Sequence, residues 1–571
     1  MRPCAFAFIQ SGEFGLRSQW IIIGDMAKGG IPNSIDLTQE HTRAQVLAIL
    51  RALQQLPENE RDISPILRRH AGPTGTYAKS QLLGAYRVLA AEGDFAPDPA
   101  LERRLRERPV RTISGVAPVA VLTAYYPCPG TCIFCPTQAG APQSYLDGEP
   151  GVLRAIQYDY DPYDQTAGRI RSLTATGHPV DKIELLILGG TWSAYPETYQ
   201  EEFLRRCFDA LNEVESATLA EALLHNETAP HRNVGLVVET RPDCITPAEA
   251  LRLRNQGVTR VQLGAQSCDD HILALNKRGH TVAQTRRAVR LLRLAGFKIV
   301  LHWMPNLYGA TPESDLEDFA RLWDDPALRP DELKIYPTVL LAGTELYNLW
   351  QQGQYRPYPE ETLIELLAQC KTLIPPYCRV NRLMRDIPSG YVVAGTKKSN
   401  LRQIVQQRMR ERGLACRCIR CREVRGSHKS QVASQKLQAG DQMDCALDDV
   451  VYTTDATEEH FLQYLMPDGK LAGFLRLSLP GAPRDEIPIP EIRETAMVRA
   501  LHVYGPAQSL GKRGWGAQHR GLGGRLLDEA AALARAAGFH ELAVIAAAGT
   551  RPYYRERGFT EGTLYPIQKL R

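Results

Sequence analysis

Three cysteines fall within one short loop, Cys128-Pro-Gly-Thr-Cys132-Ile-Phe-Cys135. The spacing C-x3-C-x2-C presents three thiolates to a single face. Such a face can hold three irons of a four-iron cluster and leave the fourth iron open for a ligand from solution. A structural zinc site or a fully protein-ligated cluster normally needs a fourth protein ligand, and the next cysteine is Cys207. The bland readings, a zinc knuckle or three unrelated thiols, therefore fit less well than a cluster with one exchangeable position. An open iron of this kind can chelate the amino and carboxylate groups of S-adenosylmethionine.

Elements on either side must position that loop. The β-prone run Val116-Ala-Pro-Val-Ala-Val-Leu122 leads directly into it, which puts the thiols at the C-terminal end of a strand, where barrel active sites are built. From about 111 to 395, short apolar strands alternate with helical stretches. Candidate strands are Glu184–Leu188, Gly235–Glu239, Arg260–Gly264, Ile299–Trp303 and Leu333–Tyr336, with a helix such as Thr281–Ala295 between two of them. The alternation predicts an α/β fold with a parallel sheet, a partial (β/α) barrel. Gly189-Gly190-Thr191, Thr240-Arg-Pro-Asp243, Gln266-Ser267 and Lys334 then lie in or just after its strands.

The chain has 571 residues, 44% hydrophobic and 23% charged, with a net charge of +4 and thirteen cysteines. This is an ordinary globular composition with room for several domains. An odd, clustered cysteine count argues for metal ligands and free thiols in a reducing cytoplasm rather than a disulfide framework. No run of about 20 apolar residues suggests a membrane span. Residues 1–26 contain apolar pieces split by Glu13 and Arg17, a poor signal peptide; a disordered extension or an upstream start codon are both compatible with them. Residues 27–110 read as helical, with Val46, Leu47, Leu50 and Leu53 at one-face spacing.

Residues 382–430 carry thirteen Lys or Arg against three acids, a net charge of +10. So one-sided a segment suits a phosphate backbone better than solvent alone. Within it Cys416-Arg-Cys418-Ile-Arg-Cys421 suggests zinc with one distant ligand, for which His428, Cys378 and Cys445 are all candidates. The boundaries expected from these shifts are an extension 1–26, a helical region 27–110, a barrel 111–395, a basic zinc linker 396–440 and a C-terminal domain 441–571.

That last block opens with strand-like Phe461–Leu465 and Leu471–Leu477, joined by Pro467-Asp468-Gly469. A strand candidate, Met497–Val503, precedes Gln518-His-Arg-Gly521-Leu522-Gly523-Gly524, which leads into a helix Arg525–Ala537 and a strand Leu542–Ile545. Q-x-x-G-x-G between strand and helix is similar to the pyrophosphate loop of N-acetyltransferase (GNAT) domains, where glycines let backbone N–H groups reach the diphosphate of coenzyme A.

A radical S-adenosylmethionine cysteine loop, a basic metal-binding linker and an acetyltransferase fold in one chain resemble the Elongator catalytic subunit family. Matching stretches include Arg111–Pro118, Arg154–Ile156, Asp161–Tyr163, Gly189–Thr191, Glu239–Asp243, Arg278–Thr281, Leu333–Thr338, Arg385–Pro388, Leu501–Gly505 and Gly549–Arg551 with Tyr553 and Tyr554. The resemblance covers about 110–571. It implies a tRNA-modifying acyltransferase that forms 5-carboxymethyluridine at the wobble position from acetyl-CoA and a 5′-deoxyadenosyl radical. The radical takes a hydrogen from the acetyl methyl group, the carbon radical adds to uridine C5, and water releases coenzyme A. The resemblance assigns the [4Fe-4S] cluster to Cys128, Cys132 and Cys135. It gives Lys182 and Tyr554 catalytic and acetyl-CoA-contacting roles, and adds Ala500, Leu501, His502, Val503, Gln518, Gly521, Leu522, Gly523 and Gly524 to the coenzyme A contacts. Gly189 and Gly190 join them as cofactor-binding residues, and the tRNA anticodon stem-loop is the implied partner. Two departures stand out: Ala500 replaces a usual Glu, and Trp303-Met304 replaces a pair of methionines. A protein lysine acetyltransferase with a structural iron–sulfur domain, a methylthiotransferase-like enzyme and an RNA-binding scaffold are the competing readings. A homodimer and accessory subunits are both compatible with the sequence.

Overall fold

The computed structural model describes residues 35–57, 60, 62–71, 75–112, 114–424, 445–505 and 521–570. The extension 1–26, His428 and Gln518 lie outside the described residues. The described residues form two compact units, one within 1–108 and 171–178, the other within 109–170 and 179–571.

The first unit is helical. Helices Glu40–Gln54, Lys79–Ala91 and Pro99–Leu105 meet in a core of Val46, Ile49, Leu50, Leu53, Leu82, Leu83, Leu89 and Leu105. Ile49 rather than Leu47 completes the inward stripe; Leu47 is only partly buried. Asp98 starts the last helix by accepting from the N–H groups of Ala100 and Leu101.

The second unit contains two seven-stranded sheets. The first is parallel throughout and runs in chain order: β1 Ala117–Leu122, β2 Lys182–Leu188, β3 Arg232–Thr240, β4 Arg260–Gln266, β5 Lys298–Trp303, β6 Glu332–Ile335 and β7 Arg379–Arg382. Each strand is followed by a helix, some from polar caps such as Thr281 before Val282–Leu294 and Thr311 before Pro312–Asp324. The sheet curls until strands far apart in it touch. Glu239 on β3 comes within 3.6 Å of Lys334 on β6, and Arg260 on β4 pairs with Glu184 on β2 at 2.7 Å and Glu332 on β6 at 3.5 Å. The partial barrel is therefore as expected, but its concave face carries charges where (β/α)8 barrels pack branched apolar residues.

The second sheet comprises β8 Ala446–Thr453, β9 Thr457–Leu465, β10 Leu471–Pro480, β11 Thr495–Val503, β12 Glu541–Val544, β13 Thr560–Glu561 and β14 Pro566–Lys569, in the order β8-β9-β10-β11-β12-β14-β13. Only the β11–β12 pairing is parallel. Helix Leu522–Ala536 buries Leu522, Leu526, Leu527, Ala530 and Ala534 against Leu475, Leu477, Val498 and Leu542.

A buried charge network joins the two sheets. Arg499, left over at an irregularity where β10 pairs with Ala500 and then Val498, holds Asp331 through two hydrogen bonds of 2.6 and 2.8 Å. It also donates to Glu459 at 2.6 Å, while Arg476 reaches Asp331 at 3.2 Å. Elsewhere Arg254 donates to the carbonyls of Leu564 and Ala546, and the Tyr565 hydroxyl to that of Ala295. Gly549 is packed so closely that a Cβ there would lie 2.6 Å from Cβ of Arg232 and 2.8 Å from the backbone N and O of Asn233.

Candidate active site

The cysteine loop starts at the C-terminal end of β1 and is pinned at both sides. Ile133 is buried with Leu340, Leu346 and Tyr355, and its N–H donates to the Asn276 carbonyl at 3.3 Å. Cys128 Sγ lies 3.4 Å from Thr191 Oγ1, which brings the end of β2 to the loop. Gly189 is required there: its φ is +136°, and a Cβ would sit 2.0 Å from Thr123 Oγ1. A Cβ on Gly130 would fall 2.1 Å from Nη1 of Arg241. Arg278 Nη1 lies 2.9 Å from Cys132 Sγ and Gln143 Nε2 lies 3.4 Å from Cys135 Sγ. Burial pushes the Cys135 thiol above its ordinary value.

These sulfurs are not gathered like the ligands of a single ion. Among the described residues, only Cys416, Cys418 and Cys421 bring three His, Cys or acidic ligand atoms within 4.8 Å of one another. Tetrahedral zinc, with Zn–S of about 2.3 Å, sets its sulfurs about 3.8 Å apart; a four-iron cube spreads them wider. Buried N–H groups without partners, Arg241 Nη1 and Arg278 Nε, stand beside the loop. The residues present suit a cluster that brings its own sulfide acceptors.

Behind the loop the concave face is polar. His302 Nε2 is 3.0 Å from Gln262 Oε1 and its Nδ1 3.6 Å from Glu239. Burial, with Lys334 adding to it, lowers His302 to about 3, so the ring is neutral. Arg385 stacks on Tyr145 and pairs with Glu149 at 2.9 Å. Tyr145 and Gln143 escaped the sequence reading because they stand in a loop with no motif of its own. Arg278 and Arg385 lay inside quoted stretches without a role.

Lys182 is the first residue of β2, at the opposite end of the strand from Gly189 and Gly190. Its register partner on β3 is Arg232, the residue packed on Gly549. Lys182 thus stands one strand from the turn Ala548–Thr550, and burial lowers its ammonium. In the second sheet β11 and β12 pair only over Thr495–Val498 with Glu541–Val544, and Ile545 N–H closes the ladder on Val498 at 3.1 Å. The β11–β12 register therefore ends at Val498, while β11 itself runs on through Ala500, Leu501, His502 and Val503. Gly521, in the left-handed region at φ +79°, starts the helix that continues through Leu522, Gly523 and Gly524. The expected helix start at Arg525 is three residues too late. A Cβ on Gly523 would lie 2.6 Å from the Tyr553 hydroxyl, whereas Tyr554 is buried in the core against Phe559. His502 stacks near Tyr504 and Phe474 with its Nε2 buried and unpartnered. Burial, reinforced by Arg379, Lys298 and Arg260, holds it near 3.

At the second cysteine group, hydrogen bonds from Cys416 and Cys418 pull Cys421 down, and Lys371 Nζ lies 3.8 Å from its sulfur. Cys445 lies instead beside Met466. The surrounding basic run is partly neutralised: Arg408 and Arg412 pair with Glu361 and Glu365, and Lys398 with Glu360. Arg402 donates to the carbonyls of Val380 and Asn381. The linear count missed these acids because they lie on the preceding helix, Glu360–Leu373.

Residues 124–322 match the Radical SAM superfamily and residues 330–411 the Radical_SAM C-terminal domain. The tRNA uridine(34) acetyltransferase of Dehalococcoides mccartyi is 46% identical over 452 residues, covering 79% of this chain and 96% of that protein. The chain belongs to the family of tRNA uridine(34) acetyltransferases and Elongator complex protein 3. Within that family, Elongator complex protein 3 of Danio rerio is 36% identical over 561 residues, 94% of this chain and 98% of its own. The solved archaeal Methanocaldococcus infernus Elp3, lacking its N-terminal residues 1–46, superposes with a TM-score of 0.68 at 39% identity, covering 80% of this chain and all of that one. The family is a radical S-adenosylmethionine family, which implies a [4Fe-4S] cluster and S-adenosylmethionine. Among the described residues no helix is long and apolar enough to cross a membrane.

Proposed function

We propose that this protein forms 5-carboxymethyluridine at the wobble position of tRNA from acetyl-CoA and S-adenosylmethionine. The observation that carries the reading is the placement of a three-cysteine loop and a helix started by Gly521 within one compact unit. The relatives' names support the substrate, and at 36–46% identity they do not favour a protein lysine acetyltransferase.

In this reading Cys128, Cys132 and Cys135 would hold the cluster, and the chemistry it would supply with S-adenosylmethionine is a 5′-deoxyadenosyl radical. The loops after the parallel strands, Gly189–Thr191 among them, shape the mouth around it. The polar concave face gives uridine, whose edges need hydrogen-bond partners, a binding surface. Leu522, Gly523 and Gly524, at a helix N-terminus, would donate backbone N–H groups to the coenzyme A diphosphate together with Gly521; Gln518 belongs to the same motif and lies outside the described residues. The backbone of Ala500, Leu501 and His502, past the end of the β11–β12 register, would meet the pantetheine amides, a contact for which Ala500 serves as well as a larger residue because it is made by backbone. Lys182 and Tyr554 are the residues assigned to acetyl-group handling. Zinc at Cys416, Cys418 and Cys421 fixes the linker, the anticodon stem-loop binds the remaining free cations, and the enzyme works in the cytoplasm.

Cys132→Ala tests the assignment. Anaerobically purified wild type should hold about four irons per chain and release 5′-deoxyadenosine from S-adenosylmethionine. The variant should lose most of the iron and all of that release; retention of both rules out the radical reading.

A further inference from the structure

Arg278 is a buried guanidinium that lacks a carboxylate. Its Nη2 donates to the Gly264 carbonyl at 2.5 Å, its Nη1 lies 2.9 Å from Cys132 Sγ, and its Nε is buried without a partner. Among the described residues no acidic oxygen comes within 4.0 Å of it. Its neighbour Arg241 differs: that side chain pairs with Asp243 at 3.0 Å and donates Nη2 to the Arg278 carbonyl at 2.6 Å. His280, held near 4 and hence neutral by burial beside Arg278 and Arg241, neither balances that charge nor adds to it.

A buried ion without an opposite charge costs several kcal/mol. A fold that places such an ion 2.9 Å from a cysteine sulfur implies that negative charge resides there in the working protein. We infer that Arg278 is the charge partner of the iron–sulfur cluster, donating to the Cys132 thiolate and raising the cluster's reduction potential. This rests on the reading that Cys128, Cys132 and Cys135 carry that cluster. Reduction adds one electron, and so one negative charge, to a group whose thiolate already touches a cation. Positive charge and N–H donors at cluster sulfurs favour the more negative, reduced state. Arg278 is a positioning and tuning residue: it does not touch the substrate. Arg241, with its own charge balanced by Asp243 and a free Nη1 over Gly130, adds a donor with far less net charge.

The test is an EPR-monitored redox titration of the reconstituted full chain, reduced by dithionite, with iron per chain measured alongside. Arg278→Gln should load iron as wild type does and shift the one-electron equilibrium at least tenfold toward the oxidised cluster, about 59 mV more negative. Arg278→Lys, which keeps the charge, should stay within that interval of wild type. A fully loaded Arg278→Gln protein with an unmoved midpoint overturns the inference. If Arg278→Gln fails to load, Arg278→Lys decides. Loading with a near-wild-type midpoint supports the role of charge. A tenfold shift, or no loading despite an unchanged melting curve, overturns it. Iron retained by Cys132→Ala would instead defeat the cluster assignment itself, whatever Arg278 does.

Discussion

Replacing Arg499 by Met should cost the protein about 3–5 kcal/mol, because the network it completes is both fully buried and charge-balanced. Arg499 and Asp331 have no exposed side-chain surface, and Glu459 and Arg476 almost none. Two guanidiniums face two carboxylates. Burial alone would raise Asp331, but Arg499 and then Arg476 outweigh it and hold the carboxyl well below its usual range. Arg499→Met removes five hydrogen bonds, to Asp331, Glu459 and the Phe297 carbonyl, and leaves a net negative charge in the interior. Breaking a buried pair by deleting one partner typically costs 3–5 kcal/mol, a large share of the 5–15 kcal/mol that stabilises a folded domain. Asp331→Asn should cost as much, by leaving the opposite charge. The double variant restores balance between Arg476 and Glu459, so its loss should fall short of the sum by about 1–3 kcal/mol. Urea unfolding followed by tryptophan fluorescence measures all three. Single variants within about 1 kcal/mol of wild type, or strict additivity, would refute the argument that this charge network holds the sheets together.

Gly549→Ala should lower stability by about 1–3 kcal/mol, since its Cβ meets the backbone of Asn233 at 2.8 Å; an unchanged melting temperature would mean that the contact is slack. Asp315, buried and pushed up to about 7 by that burial, accepts from Asn306 N–H at 2.7 Å and from Tyr358 at 2.9 Å. Its folded value exceeds the unfolded one, so its protonation contributes stability below about pH 4 that is lost as pH rises toward 7. Asp315→Asn should therefore gain on wild type by about 1 kcal/mol per pH unit between pH 5 and 7, and parallel stability profiles would contradict this. Lys397 is exposed, so Lys397→Glu should weaken tRNA binding and flatten its salt dependence by about one unit of slope. Reversal at Arg402 should instead unfold the linker, because that side chain holds two backbone carbonyls; intact folding there would contradict its structural role.

The barrel was legible in the sequence because strands buried on both faces appear as apolar runs between amphipathic helices. Where a strand is short and carries charge the pattern fails: Arg379–Arg382 closes the sheet with two arginines in four residues, and the edge strand Ala446–Thr453 is largely exposed. The cysteine loop and the glycine turn were legible because their chemistry fixes spacing along the chain. The charges facing the barrel interior were not, since Glu184, Arg260 and Glu332 come from three strands and meet only when the sheet curls. Arg278 carries the same lesson: the loop it serves lies 146 residues away in sequence. The basic linker read as more cationic than it is, because Glu361 and Glu365 enter from a neighbouring helix.

The most direct test of the account follows the acetyl carbons. Purified, reconstituted protein is given S-adenosylmethionine, dithionite, unmodified tRNA and acetyl-CoA labelled with carbon-13 at both acetyl positions, and the tRNA nucleosides are read by mass spectrometry. The account predicts 5-carboxymethyluridine carrying both labelled carbons at position 34, the position named for the family, and none of it when S-adenosylmethionine is withheld. Labelled acetyl groups on lysine side chains with unmodified uridine, or uridine modified without S-adenosylmethionine, would contradict it.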